Sequence, residues 1–71
     1  MSNIDLLATE RLIAKRLLEA ELAKLKPLTE QLLSGGILPP GWPEQHAKVK
    51  DAQTKFDIAT DAYLDALRRS V

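Results

Sequence analysis

Residues 35–43 read GGILPPGWP, and this stretch decides the fold because it separates two long runs of helix-forming residues. It contains all three glycines of the 71-residue chain, three of its four prolines and its only tryptophan. Glycine and proline end helices and favour tight connections. A bend this short folds the flanking helices against each other as an αα-hairpin.

The residues before the bend predict one long helix over about 4–34, because Leu, Ala, Glu, Lys and Arg dominate and all favour helix. One apolar stripe follows the helical period. It consists of Ile4, Leu7, Ala14, Leu18, Leu22, Leu25 and Leu32. Pro27 interrupts the stripe. Since the apolar pattern continues beyond the proline, we expect a kink or short break there rather than the end of the helix.

The residues after the bend predict a second helix over about 43–69 that begins at Pro43, with 35–42 as the loop. Its apolar residues recur in the alternating three-four spacing of a coiled coil. We expect these residues to pair the two helices within the chain: a large row of Val49, Phe56 and Tyr63, and an alanine row of Ala52, Ala59 and Ala66. The alanine row allows close approach of the helices. The sequence therefore predicts an all-α fold, a single domain over 1–71 in which two antiparallel helices form a coiled-coil-like hairpin.

A second apolar group lies outside this seam. It comprises Leu6, Ile13 and Leu17 on the first helix, and Ile58 and Leu64 on the back of the second. Two helices cannot bury all of these residues, and symmetric dimers are the commonest oligomers. We therefore predict a homodimer with a four-helix arrangement. The alternative is that this group is an interface for a different protein.

Arg11 projects onto the main apolar stripe. We favour an arrangement in which its stem packs and its guanidinium reaches solvent near the open end of the hairpin. The alternative is a buried charge that sets the register or pairs with a carboxylate of a partner.

Charge, cysteine content and hydropathy narrow the function classes. Ten basic and ten acidic residues cancel, whereas nucleic-acid binders usually carry a basic excess. The absence of cysteine excludes disulfides and thiolate metal sites. No apolar run approaches the roughly 20 residues of a membrane crossing, and the N-terminus lacks the pattern of a secretory signal. We expect a cytoplasmic protein without a membrane partner.

No residue pattern indicates catalysis. His46, the only histidine, lacks a nearby nucleophile or carboxylate constellation, so we expect a solvated surface residue. Phosphate-binding loops, nucleophile elbows and zinc spacings are absent. We therefore expect a protein without enzyme activity, catalytic residues, cofactor or metal.

An acidic ridge on the second helix is one candidate partner contact. Asp57, Asp61 and Asp65 are four residues apart, and like charges at this spacing repel. The ridge is either a solvated face, compensated by Arg68 and Arg69, or a docking site for a basic patch. A metal site would need more converging oxygens than one helix face gives.

The loop supplies a second candidate, formed by Ile37, Leu38 and Trp42. In the arrangement we favour, these side chains fold back and plug the closed end of the hairpin. In the alternative they form an exposed apolar tip, with the tryptophan as a binding hot spot.

In size, neutral charge and two-helix layout, with the seam Val49/Ala52/Phe56/Ala59/Tyr63/Ala66, the chain resembles small phage-encoded proteins that disable host factors, of the quorum-sensing anti-activator type. The resemblance implies a helical-hairpin dimer that inhibits its target in the bacterial host cytoplasm. It assigns no functional residues.

The sequence favours a non-enzymatic protein-protein interaction module, a small inhibitor or regulator that binds another protein such as a transcription regulator. The alternative is a structural coiled-coil oligomerisation or adaptor protein. A nucleic-acid-binding regulator is third, and Arg11, Lys15 and Arg16 are its only support.

Overall fold

Two α-helices make up nearly all of the molecule. The computed structural model describes residues 3–70, in which α1 spans Asn3–Gly35 and α2 spans Trp42–Arg69. The observed ends differ from the expected ones by at most one residue. α1 continues through Pro27 without an interruption, so the proline does not end the helix.

The two helices run antiparallel and pack along their length, which confirms the predicted all-α hairpin. Three side-chain contacts pair residues in reversed order: Thr29 with Trp42, Glu21 with Gln45, and Arg11 with Thr60. The molecule measures 52 × 17 × 16 Å. Its radius of gyration is 16.1 Å, whereas a compact chain of this length has about 11 Å. The hairpin is therefore a rod.

The connection 36–41 turns the chain through a glycine. Gly36 has φ of +69°. This backbone conformation is strained for any residue that has a side chain, but not for glycine. Its N–H donates to the Leu32 carbonyl at 2.9 Å, which satisfies one of the carbonyls left free at the end of α1. At the start of α2 the Trp42 N–H donates to the Pro39 carbonyl at 3.0 Å. Both ends of the connection are thus fixed by backbone hydrogen bonds.

A single seam joins the helices. On α1 it follows the three-four spacing of a coiled coil: Ile4, Leu7, Arg11, Ala14, Leu18, Glu21, Leu25, Leu28 and Leu32, all buried or half-buried. On α2 all six residues of the large and alanine rows are buried or half-buried. Leu22 is 45% exposed, so its predicted place in the stripe is wrong. Glu21 lies in the seam instead, because the three-four spacing of packed helices selects position 21.

The core is thin. The most buried apolar side chains described are those of Leu18 and Ala52, at 7% and 8% exposure. The chain exposes 5330 Å², whereas a globular monomer of its mass, 7.9 kDa, exposes about 4,400 Å². The hairpin therefore leaves about 900 Å² more surface in solvent than a compact monomer does.

Candidate protein-binding surfaces

A groove of about 300 Å³ runs between α1 and α2 on one flank of the rod. Its floor contains Ala14 and Ala52, whose methyl groups leave the groove open. Its apolar wall on α1 contains Ile13 and Leu17, which are 54% and 56% exposed. The exposed half of a large apolar side chain contributes hydrophobic stabilisation only after another molecule covers it.

The groove lies within a longer flank. On α1, Leu6, Glu10, Ile13 and Leu17 share one face through their four-three-four spacing. On α2 the stripe facing the same flank contains Asp51, Lys55, Ile58, Ala62, Asp65 and Arg69. A shallow depression at the open end, lined in part by Ala62, Asp65 and Arg69, extends this flank. We call the whole surface the groove face.

The five residues that we predicted as one dimer or partner interface do not share one face. Leu6, Ile13, Leu17 and Ile58 belong to the groove face, and all four are exposed. Leu64 is also exposed, but it follows Ile58 by six residues, which places the two side chains about 120° apart on α2. Leu64 therefore lies outside the groove face.

The two walls of the groove carry opposite charges. Glu10 and Glu21 line the α1 wall, and Lys48 and Lys55 line the α2 wall. Asp51, also on the α2 wall, forms an ion pair with Lys55 at 3.0 Å. The rim around the apolar floor is consequently acidic on one side and mainly basic on the other.

A polar layer interrupts the seam beside the groove. Gln45 is 9% exposed, and its Nε2 donates to the Glu21 backbone oxygen at 2.8 Å and to its carboxylate at 3.2 Å. Lys24 donates to the same carboxylate at 3.2 Å. This Lys24 hydrogen bond lowers the pKa of Glu21 below the ordinary 4.5; burial opposes the shift, while the Lys24 charge, the Gln45 amide and the Lys48 charge add to it. Sequence reasoning missed this layer, although both residues fall on the three-four spacing.

Arg11 forms a second polar contact across the seam. Its Nε donates to Thr60 Oγ1 at 3.2 Å, and its guanidinium carbon lies 5.1 Å from the centroid of the Phe56 ring. The distance falls within the range of a cation–π contact. The side chain therefore binds α2 instead of extending into solvent as we favoured, and its hydrogen-bond partner is a hydroxyl, not a carboxylate.

At the closed end, Trp42 folds back onto α1. Its indole Nε1 donates to Thr29 Oγ1 at 3.1 Å. Its ring stacks on His46 with centroids 4.5 Å apart and an interplanar angle of 12°. His46 is half-buried, so the expectation of a solvated histidine is wrong, because the first turn of α2 places residues 42 and 46 on one face.

The loop residues divide between the two arrangements that the sequence allowed. Trp42 is half-buried in the plug position, whereas Ile37 and Leu38 are 78% and 48% exposed. Leu33, in the last turns of α1, is 80% exposed. We call Leu33, Ile37 and Leu38 the apolar tip. It stands at the closed end of the rod.

The acidic ridge is exposed along its length. Asp57 accepts a hydrogen bond from Gln53 at 2.9 Å, and Asp65 forms an ion pair with Arg69 at 3.1 Å. Asp61 has neither kind of partner within residues 3–70. Within α2, the charge of Asp65 is therefore paired and that of Asp57 is hydrogen-bonded to a neutral amide.

Across residues 3–70, no group of three or more His, Asp and Glu side chains is arranged to hold a metal ion. In the same part of the chain, neither helix combines the length and apolar character that crossing a membrane requires.

Comparison of the chain with protein-family models, with curated proteins and with solved structures finds no match.

Proposed function

We propose that this chain is a non-enzymatic protein-protein interaction module, a small cytoplasmic regulator that inhibits another protein by occupying its surface. The observation that carries the proposal is the apolar tip. Ile37 and Leu33 are the most exposed large apolar side chains described, at 78% and 80%. Clustered apolar exposure on a small soluble domain usually marks a binding site.

The frame that holds the tip supports this role. The Gly36 and Trp42 backbone hydrogen bonds fix both ends of the connection. Trp42 is anchored to Thr29, and Pro39 within the connection is buried. A loop that is fixed before binding loses less conformational entropy when it binds. The tip thus combines exposed apolar side chains with a prearranged backbone.

The tip also indicates the chemistry of its target site. Ile37 and Leu38 carry no hydrogen-bonding side-chain groups, so their natural complement is an apolar pocket on a folded protein. Glu30 and Glu44, near the same end of the rod, are exposed. A pocket whose rim carries basic side chains therefore fits this end best.

The test is capture and reconstitution with a tip variant. Wild-type protein and an Ile37→Ser/Leu38→Ser variant are used to capture partners from bacterial lysate, and each enriched protein is purified and titrated calorimetrically. The control is Leu12→Ser/Leu22→Ser, which removes two exposed leucines that lie outside both the groove and the tip. We expect a stoichiometric complex that the tip variant weakens at least about 10-fold and the control leaves unchanged.

Two results would count against the proposal. The first is that no captured protein forms a stoichiometric complex when purified. The second is that the tip variant, the control and wild type bind the partner equally, which would remove the tip from the interface. Inhibition is tested separately, by adding the hairpin to an activity assay of the reconstituted partner.

The acidic ridge offers a second contact for the same function. Replacing Asp57 and Asp61 by Ser removes two exposed charges of the ridge without touching the seam or the groove face, to which Asp65 belongs. Loss of partner binding in this variant would assign the ridge to the interface. Retained binding would assign the ridge to solvent, as the intrahelical partners of Asp57 and Asp65 favour.

A further inference from the structure

We infer that the groove face is covered by a second copy of this chain, with α1 of each copy lying against α2 of the other. This inference goes beyond the proposed function, because self-association requires no foreign protein and uses a different surface from the apolar tip. It rests on the excess surface of the whole hairpin and on the shape and charge of the groove face.

The hairpin as a whole leaves a large surface uncovered. The chain exposes 5330 Å², about 900 Å² more than a compact monomer of its mass. A stable protein interface of standard size buries about 800 Å² on each partner. The excess surface of the whole hairpin is thus about as large as one side of such an interface.

The groove combines a floor of small side chains with projecting apolar side chains beside it. Ala14 and Ala52 leave a depression, while the side chains of Ile13 and Leu17 project beside it. Ile58 lies on the α2 side of the same face and is 65% exposed. When two groove faces meet, the projecting apolar side chains of one copy lie over the alanine floor of the other, as in the packing of coiled coils.

The charges of the two walls select the partner and its orientation. Glu10 and Glu21 line the α1 wall, whereas on the α2 wall Lys48 and Lys55 outnumber Asp51, which pairs with Lys55. A two-fold axis parallel to the rod lays the α1 wall of one copy on the α2 wall of the other, so that acidic meets basic at two equivalent places. A two-fold axis across the rod instead lays α1 on α1 and sets like charges against each other. The groove face is thus complementary to itself in the first arrangement only.

The first test measures the solution mass by light scattering across a dilution series. Wild type is expected to approach twice 7.9 kDa. The variant Ile13→Ser/Leu17→Ser is expected to dimerise at least about 100-fold more weakly, because each substitution acts twice in a symmetric dimer. Leu12→Ser/Leu22→Ser is the matched control and should keep the wild-type mass. Circular dichroism checks that all three proteins remain helical.

The second test addresses the orientation. Lys48→Glu/Lys55→Glu makes both walls acidic, and we expect dissociation to monomers when α1 lies on the α2 wall of the partner. Lys26→Glu/Lys50→Glu makes the same change of charge outside the groove and should leave the dimer intact. In a dimer that pairs α1 with α1, the first variant only exchanges one repulsive pair of walls for another, so an unchanged dimer overturns the orientation.

The inference is overturned by a wild-type mass of one chain at every concentration. It is also overturned by a dimer that the groove variant leaves intact, since the second copy would then lie on another face. These results are independent of partner capture through the tip. If the chain is a monomer that still binds a partner, the dimer inference is wrong and the proposed function stands. If the chain is a dimer that binds no partner, the dimer inference stands and the proposed function is wrong.

Discussion

Gln45 on α2 donates its side-chain amide to Glu21 on α1 twice, at 2.8 Å to the backbone oxygen and at 3.2 Å to the carboxylate. The pair lies in a seam whose other members are mainly apolar. A shift of one helix along the other would leave both groups facing apolar side chains without partners, which is costly. We infer that this pair fixes the register of the hairpin, as single polar residues do in coiled coils.

Gln45→Met is expected to destabilise the hairpin by about 2 kcal/mol, about 1 kcal/mol for each of the two hydrogen bonds lost, because methionine keeps the size of the side chain but not its amide. The free energy of unfolding is measured by urea denaturation followed by circular dichroism. Gln53→Met is the control, since Gln53 is exposed, and its change should be about 0.5 kcal/mol or less. Equal effects of the two substitutions would show that the buried amide has no special role.

The stability of the hairpin should depend on pH through Glu21. Because the pKa of Glu21 is lowered in the folded chain, its ionised form stabilises the fold above the ordinary value of 4.5. This contribution is lost as the pH falls through the folded pKa. The midpoint temperatures of thermal unfolding of wild type and Glu21→Gln should therefore differ at pH 7 and become equal in strong acid. Glu19→Gln, at an exposed position, is the control, and a Glu21→Gln difference that stays constant with pH would contradict the assignment.

Gly36→Ala should destabilise the hairpin by about 1 kcal/mol, because alanine is strained at positive φ. Nothing lies within 4 Å of the space that the new methyl group would fill, so the loss reports backbone strain alone. Gly35→Ala is the matched control: Gly35 ends α1 at negative φ, and alanine there should be neutral or slightly stabilising. Equal losses at the two positions would contradict the strain argument.

Ala52→Leu should destabilise the hairpin by about 2 kcal/mol, because Ala52 is only 8% exposed within the seam and a larger side chain must displace its neighbours. The measurement is the urea midpoint together with the unfolding slope. Ala47→Leu places the same side chain at an exposed position of α2 and should change the midpoint little. A stabilised Ala52→Leu variant would mean that the groove floor accommodates leucine without moving the helices.

Asp61→Lys should stabilise the hairpin by about 0.5 kcal/mol at low salt. The substitution turns two repulsive pairs at four-residue spacing, Asp57 with residue 61 and residue 61 with Asp65, into attractive pairs. The gain should shrink as salt is added, because the site is exposed. Thermal unfolding at two ionic strengths measures it, and a gain that is insensitive to salt would assign the effect to helix propensity.

The sequence was sufficient to predict the hairpin because the residues of the bend and the spacing of the apolar residues indicate the same fold. The glycines and prolines of 35–43 mark one bend, and the rows of Val49 and Ala52 mark one seam. The sequence was insufficient to predict which polar residues lie in that seam. At 100° per residue, Glu21 and Leu22 lie almost equally far from the centre of the α1 stripe, so hydrophobicity selected the leucine. Packing at three-four spacing selects the glutamate, and only the position of Gln45 across the seam makes that choice favourable.

The surfaces were predicted less completely than the fold. Helical spacing placed Leu6, Ile13 and Leu17 on one face, which is a property of a single helix. Whether Ile58 or Leu64 lies on the same flank depends on how α2 is rotated against α1, which one helix alone cannot show. The loop posed a similar problem, since Trp42 and Ile37 are both apolar and only the indole N–H has a hydrogen-bond partner on α1. Local patterns thus predicted elements, whereas the relative rotation of the helices determined the surfaces.

The antiparallel order of the seam also sets the order in which the chain assembles. The contact between Thr29 and Trp42 closes a segment of 13 residues, whereas that between Arg11 and Thr60 closes one of 49. Because the entropy cost of closing a loop grows with its length, contacts near the bend form first and each then shortens the segment that the next must close. We therefore expect the hairpin to form from the bend outward and its backbone amides to exchange with solvent fastest at the opposite end.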